Sequence, residues 1–156
     1  MTRWSPLSRA DRLARRAMAG ARPKSAAGKV QNNFVVCVHS AEAPSHEEWD
    51  ELLALFRTVP DLGRLRVLVL TMGGAPNALQ RAKLNKVLAN AKPPIAILTS
   101  SVVARTVGVA ISWFHPRLRM FDPKELERAF DHLDASQADR QLMSRLLEEL
   151  RRELRV

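Results

Sequence analysis

An α/β domain on a mainly parallel sheet is the fold class this sequence predicts, and three observations predict it. Between Phe34 and Leu133 short apolar, β-branched runs alternate with stretches of helical periodicity. The runs, Phe34-Val35-Val36-Cys37-Val38, Arg66-Val67-Leu68-Val69-Leu70, Pro94-Ile95-Ala96-Ile97-Leu98 and Leu118-Arg119-Met120-Phe121, are mostly continuous rather than alternating, as strands covered on both faces are. Each is followed by enough chain for a helix, which is the connection parallel neighbours require. Four mainly parallel strands in one domain are therefore expected, with a modest aliphatic core, since the 156 residues are 46% apolar and only 5% aromatic.

The elements follow in order. After the first strand, Ala43-Pro44 breaks the run and Ser45 with Glu48 forms a capping box. Trp49, Leu52, Leu53 and Phe56 then make a stripe that faces the sheet, and Pro60 and Gly63 end the helix. The second strand runs into Thr71-Met72-Gly73-Gly74-Ala75-Pro76-Asn77, a glycine-permissive turn with Pro76 placed for a first helical turn. Leu84, Val87, Leu88 and Ala91 form the buried stripe of the second helix, whose opposite face carries Arg81, Lys83, Lys86 and Lys92. Pro93-Pro94 imposes an extended entry to the third strand. Thr99-Ser100-Ser101 caps a third helix in which Val102, Val103, Val107, Val109, Ala110, Ile111, Trp113 and Phe114 leave little polar surface. Such a helix is either sandwiched within the chain or covered at a contact between subunits. After the fourth strand, Asp122, Pro123 and Glu125 start another helix carrying Leu126, Ala129, Phe130 and Leu133. A final amphipathic helix, within residues 135–156, has Leu142, Leu146, Leu147, Leu150 and Leu154 along one edge. That edge either docks on the domain or pairs with another helix.

The charge is unevenly spread. Residues 1–29 hold eight basic residues against the single acid Asp11, a net of +7 out of the +9 of the whole chain. This segment reads as a basic flexible tail ahead of a domain over 30–134. It can make weak, nonspecific contact with an anionic surface, nucleic acid or membrane, with Trp4 and Leu7 at the interface. An organellar targeting role and a translation start at Met18 are further readings of the same stretch. Nothing in the sequence approaches the roughly 20 apolar residues of a membrane span. The lone Cys37 excludes a disulfide framework, so a cytoplasmic location is expected.

The order of elements resembles the STAS fold of anti-sigma-factor antagonists, in particular its divergent bacterial branch related in topology to CRAL-TRIO lipid-binding domains. The resemblance is carried by Arg81 to Leu88, by Pro94 to Ser100 leading to Arg105, by Trp113-Phe114, and by Met120-Phe121-Asp122-Pro123 with Glu125 and Ala129, over roughly residues 32–134. It implies a protein-interaction module. It also implies a phosphorylatable serine in the loop after an internal strand, but the matching loop, Met72 to Asn77, has no hydroxyl and Thr71 is the nearest one.

Chemistry is sparse. Helices beginning near Asn77 and Ser101 would meet the carboxyl edge of a parallel sheet, each with an arginine about one turn in, so Arg81, Arg105, Asn77, Ser101, Gly73 and Gly74 form a candidate anion or ligand site. Gly73-Gly74 is neither a Walker loop nor a dinucleotide fingerprint. His39, His46, His115 and His132 lack the spacing of a metal site, Cys37 reads as core, and no serine has a base beside it. No catalytic residue, metal or cofactor is expected. The expectation is a regulatory, non-enzymatic STAS-like module that binds an unidentified protein and forms a homodimer through Val103, Val107, Ile111 and Phe114 or through Leu146 and Leu150. The alternative is a small-ligand or lipid-binding domain, with the third helix lining a pocket and Arg81 and Arg105 holding an anionic head group.

Overall fold

The computed structural model describes residues 8–11, 13–14 and 22–156. The strands are β1 (Ala26–Gln31), β2 (Phe34–His39), β3 (Arg66–Thr71), β4 (Ile95–Leu98) and β5 (Leu118–Phe121), and the helices are α1 (His46–Phe56), α2 (Ala78–Leu88), α3 (Val102–Ser112), α4 (Leu126–His132) and α5 (Gln137–Leu154), with short 3-10 turns at Leu62–Arg64 and Pro123–Glu125. They form one sheet in the order β1-β2-β3-β4-β5. β2 to β5 are parallel neighbours, and β1 is antiparallel to β2.

The parallel α/β core is thus as expected, but the strand count of four is corrected to five. β1 begins at Ala26, inside the segment read as a basic tail. Its residues, Ala-Ala-Gly-Lys-Val-Gln, have little strand propensity. A two-residue turn holds it instead: Asn32 adopts φ 54°, a left-handed conformation that asparagine tolerates, and Gln31 pairs with Phe34. Lys24 and Lys29 bond Glu153 and Glu149 of α5 at 2.8 and 2.7 Å, so two of the tail's charges lie against the domain. Residues 1–7, 12 and 15–21, which hold Trp4, Leu7, Met18 and most of the predicted tail, lie outside the described residues.

Alternating side chains split the sheet between two cores. On one face Val35, Cys37, Val67, Ile95 and Ile97 meet the crossover helices α1, α2 and α3. On the other, Val36, Val38, Leu68, Leu70, Ala96 and Leu98 meet α4 and α5. The first stripe packs as its spacing predicts, with Trp49, Leu52, Leu53 and Phe56 all buried. Ser45 and Glu48 close the expected capping box, Ser45 Oγ accepting from the Glu48 N–H at 3.1 Å and Glu48 Oε2 from the Ser45 N–H at 2.8 Å. Asp122 and Glu125 close theirs the same way around Pro123.

The terminal leucine edge docks on its own chain. Leu146, Leu147, Leu150 and Leu154 are buried with Met143 against the sheet. Leu146 and Leu150 are therefore core residues, and the expectation that they form an interface is corrected: the face left open by three crossovers on the opposite side needs a cover, and α5 supplies it.

Among the described residues no helix is long and apolar enough to cross a membrane.

Candidate functional site

The carboxyl edge of the sheet collects most of the predicted ligand site. Thr71 and Thr99, at the ends of β3 and β4, are both buried, and Thr99 Oγ1 donates to the Thr71 carbonyl at 2.9 Å. Thr71 points inward and its hydroxyl is committed, donating to the Gly74 carbonyl at 2.6 Å and accepting from the Gly73 N–H at 3.1 Å. Gly73 has φ +134°, and a Cβ there would sit 3.5 Å from Ser101 Oγ, so the β3–α2 loop abuts the start of α3. At Gly74 a Cβ would fall 2.1 Å from the Glu42 carbonyl oxygen and 2.6 Å from that of Ser40, which only glycine avoids. The two loops following β2 and β3 are thereby pressed together.

The caps are self-contained. Asn77 Oδ1 accepts from the Gln80 N–H at 2.9 Å and Ser101 Oγ from the Ala104 N–H at 3.2 Å. Arg81 donates to the Pro76 carbonyl at 3.0 Å, and Arg105 to the Thr99 carbonyl at 3.0 Å. Each guanidinium keeps further donors, and neither has a carboxylate partner among the described residues. Gln80, which the sequence reading passed over, is the polar latch beneath this edge: its carbonyl accepts from the Trp49 indole N–H at 2.8 Å and its side chain donates to the Pro44 carbonyl at 3.0 Å. The signal for it was present, since Gln80 stands three residues after the Asn77 cap, as a capping-box partner does.

Beneath the loop lies an apolar cavity of about 80 Å³ between the sheet and α1, α2 and α3. Its cause is the inward face of α3, where Ala104 and Gly108 stand in place of larger side chains. At Gly108 a Cβ would come 2.4 Å from Met120 Sδ, so a larger residue there would have to displace the thioether. Val69, in the middle of the central strand, stays half-buried as a result.

The outer face of α3 is the second unusual surface. Val102 is 78% exposed, Val103 66%, Val109 47%, Trp113 79% and Phe114 57%. These residues recur along the whole helix, opposite the buried Ala104, Gly108 and Ile111. Of the predicted interface positions on this helix, Val103 and Phe114 are thus exposed, Val107 is half-buried against the cavity and Ile111 is in the core. The sandwiched reading of α3 holds for one side only.

The histidines do not converge. His39 and His115 are buried, His46 is exposed at the start of α1, and His132 bonds the Arg117 carbonyl at 2.7 Å. Among the described residues no three His, Cys, Asp or Glu side chains are grouped to hold a metal ion. Burial pushes the Cys37 thiol up to about 12, as expected of a core residue.

His39 Nδ1 is buried without a partner among the described residues, and burial holds the ring down to about 4, against a small opposing pull from Glu48. Between pH 6.5 and pH 4 the unfolded chain takes up a proton that the folded chain refuses. Stability should therefore fall as the pH drops through that window, by roughly 3 kcal/mol at most from this group. His115, shifted in the same direction by burial, adds to the slope. Denaturant unfolding at a series of pH values checks this: His39→Gln should flatten the profile between 6.5 and 4, and an unchanged slope would contradict the assignment.

Comparison of the chain with protein-family models, with curated proteins and with solved structures finds no match. The α/β architecture is shown by the coordinates alone.

Proposed function

We propose that the chain is a non-enzymatic, STAS-like protein-interaction module that self-associates through the outer face of α3. The observation that carries this reading is the exposed stripe of Val102, Val103, Val109, Trp113 and Phe114. Its two aromatics alone expose on the order of 250 Å², taking 150–250 Å² for a full aromatic side chain. With the valines the stripe reaches about 300–600 Å², the size of the largest apolar patch on a typical monomer, often a functional one. Free in water it carries a standing cost that a partner removes.

A second copy suits this face because its outward residues, from Val102 through Thr106 and Val109 to Trp113, include no ionisable group. In a two-fold contact each residue meets the same surface, so a charged stripe on so basic a chain would repel itself. The regulatory role and the cytoplasmic location belong to the same reading. Sedimentation velocity over a dilution series tests the association: a reversible dimer supports it, and a monomer at every concentration removes it.

A further inference from the structure

We propose that the cavity between α2 and α3 binds a small single-chain amphiphile, with the end of its hydrocarbon chain inside, the rest of the chain in the opening and its anionic end against Arg81 and Arg105. The cavity holds about 80 Å³ and its lining is almost wholly apolar. The hydrogen-bonding side chains on its wall are committed, the Thr71 hydroxyl to Gly74 and Gly73 and the Trp49 indole N–H to the Gln80 carbonyl. Nothing inside can pay for burying a polar ligand group, so the inserted part must be hydrocarbon. Size narrows the class further: a cavity of about 150 Å³ takes a benzene ring, so half that space admits a chain end but not a ring.

The polar end of the ligand is set by what surrounds the opening. The half-buried lining residues Val69, Ala75, Pro76 and Val107 place that opening between the β3–α2 loop and the middle of α3. Arg81 bonds the carbonyl of Pro76, a lining residue. Arg105 follows the lining residue Ala104 on α3 and bonds the carbonyl of Thr99, whose hydroxyl is tied to Thr71. Arg81 is thus tied to the cavity wall at Pro76 and Arg105 to the neighbouring end of β4, both without a carboxylate partner among the described residues, and these guanidinium groups are assigned to a carboxylate or phosphate monoester on the chain. The site is independent of the self-association face, since Ala104 and Val107 turn inward on α3 where Val109 and Trp113 turn outward.

Methyl NMR titration of the full chain tests the proposal, with octanoate, octan-1-ol and inorganic phosphate as probes. Octanoate and octanol should shift the Val69, Ile97 and Val107 methyls saturably, and phosphate should not. Replacing Arg81 and Arg105 together by Ala should weaken octanoate at least tenfold and leave octanol unchanged, a split that a merely destabilised fold would not produce. Filling the hole by Ala104→Leu or, separately, Val107→Phe should abolish both shifts in whichever variant folds. Silent cavity methyls, binding that survives the filled variants, or equal octanoate affinity without the arginines would each overturn the proposal. Flotation with phosphatidylglycerol vesicles in the absence of any octanoate response would assign the arginines to a membrane surface and overturn it too.

Discussion

Leu150→Ala should lower the unfolding free energy by about 3 kcal/mol, within the 2–5 kcal/mol range for buried Leu→Ala changes, and leave the association state of the folded protein unchanged. Leu150 is fully buried in the core that α5 forms on β1 and β2. Its neighbours Met143 and Leu147 belong to the same helix, and the sheet beneath is fixed by its own ladder, so the vacated space cannot collapse easily. Chemical denaturation reads the loss as a lower midpoint at constant slope. The alternative role for this leucine edge, helix-to-helix dimerisation, makes the opposite pair of statements: a shifted dissociation constant and little change in the stability of the monomer.

Under the proposed self-association through the outer face of α3, Val109→Glu combined with Trp113→Glu should leave the protein monomeric without unfolding it. Trp113 lies largely in water in the single chain and Val109 about half so, and the fold loses little. In the assembly each copy would bring two carboxylates into the centre of an apolar contact, and the two-fold relation doubles that burden. Truncating one aromatic anchor at an interface costs about 2 kcal/mol or more, and buried unpaired charge adds to it. At 1.4 kcal/mol per tenfold, the dissociation constant should rise at least a hundredfold. Sedimentation velocity measures this, and circular dichroism confirms that the fold persists. Association unchanged in the double variant would place the contact elsewhere on the molecule.

The parts of this structure written most plainly in the sequence are those set by local rules. The runs at Phe34, Arg66 and Ile95 are strands whose side chains are buried or half-buried on both faces, and the edge run at Leu118 buries Leu118 and Phe121 while Arg119 stays exposed. The capping boxes at Ser45 and Asp122 start their elements where the hydroxyl or carboxylate and its reciprocal partner stand. The surplus of valine on α3 is visible in the chain, and so is the choice it poses between internal burial and an exposed contact. Only the coordinates divide that helix into an inner face of Ala104, Gly108 and Ile111 and an outer face in water.

What the sequence hides depends on neighbours distant along the chain. β1 has alanine, glycine and lysine where strand formers would announce it, and exists because the Asn32 turn lays it along β2 and α5 covers it. The cavity lies against the small residues Ala104 and Gly108 of α3, and Met120, on another element, packs over Gly108 from the other side. Of the predicted ligand residues, Gly73, Gly74, Arg81, Ser101 and Arg105 do gather at the sheet's carboxyl edge, but Asn77 and Ser101 serve as caps rather than open donors. Gln80 is legible as the capping-box partner of Asn77, but its bonds to Trp49 and Pro44, and the buried Thr71–Thr99 pair, appear only when the strand ends are side by side.

The most direct test is solvent access at Trp113 in the wild-type protein at high concentration, read as broadening of its indole resonance by a soluble gadolinium chelate. Self-association through the outer face of α3 predicts that the resonance is shielded, and that Val109→Glu restores broadening to the level expected of a side chain 79% exposed. Equal broadening in both proteins would contradict it.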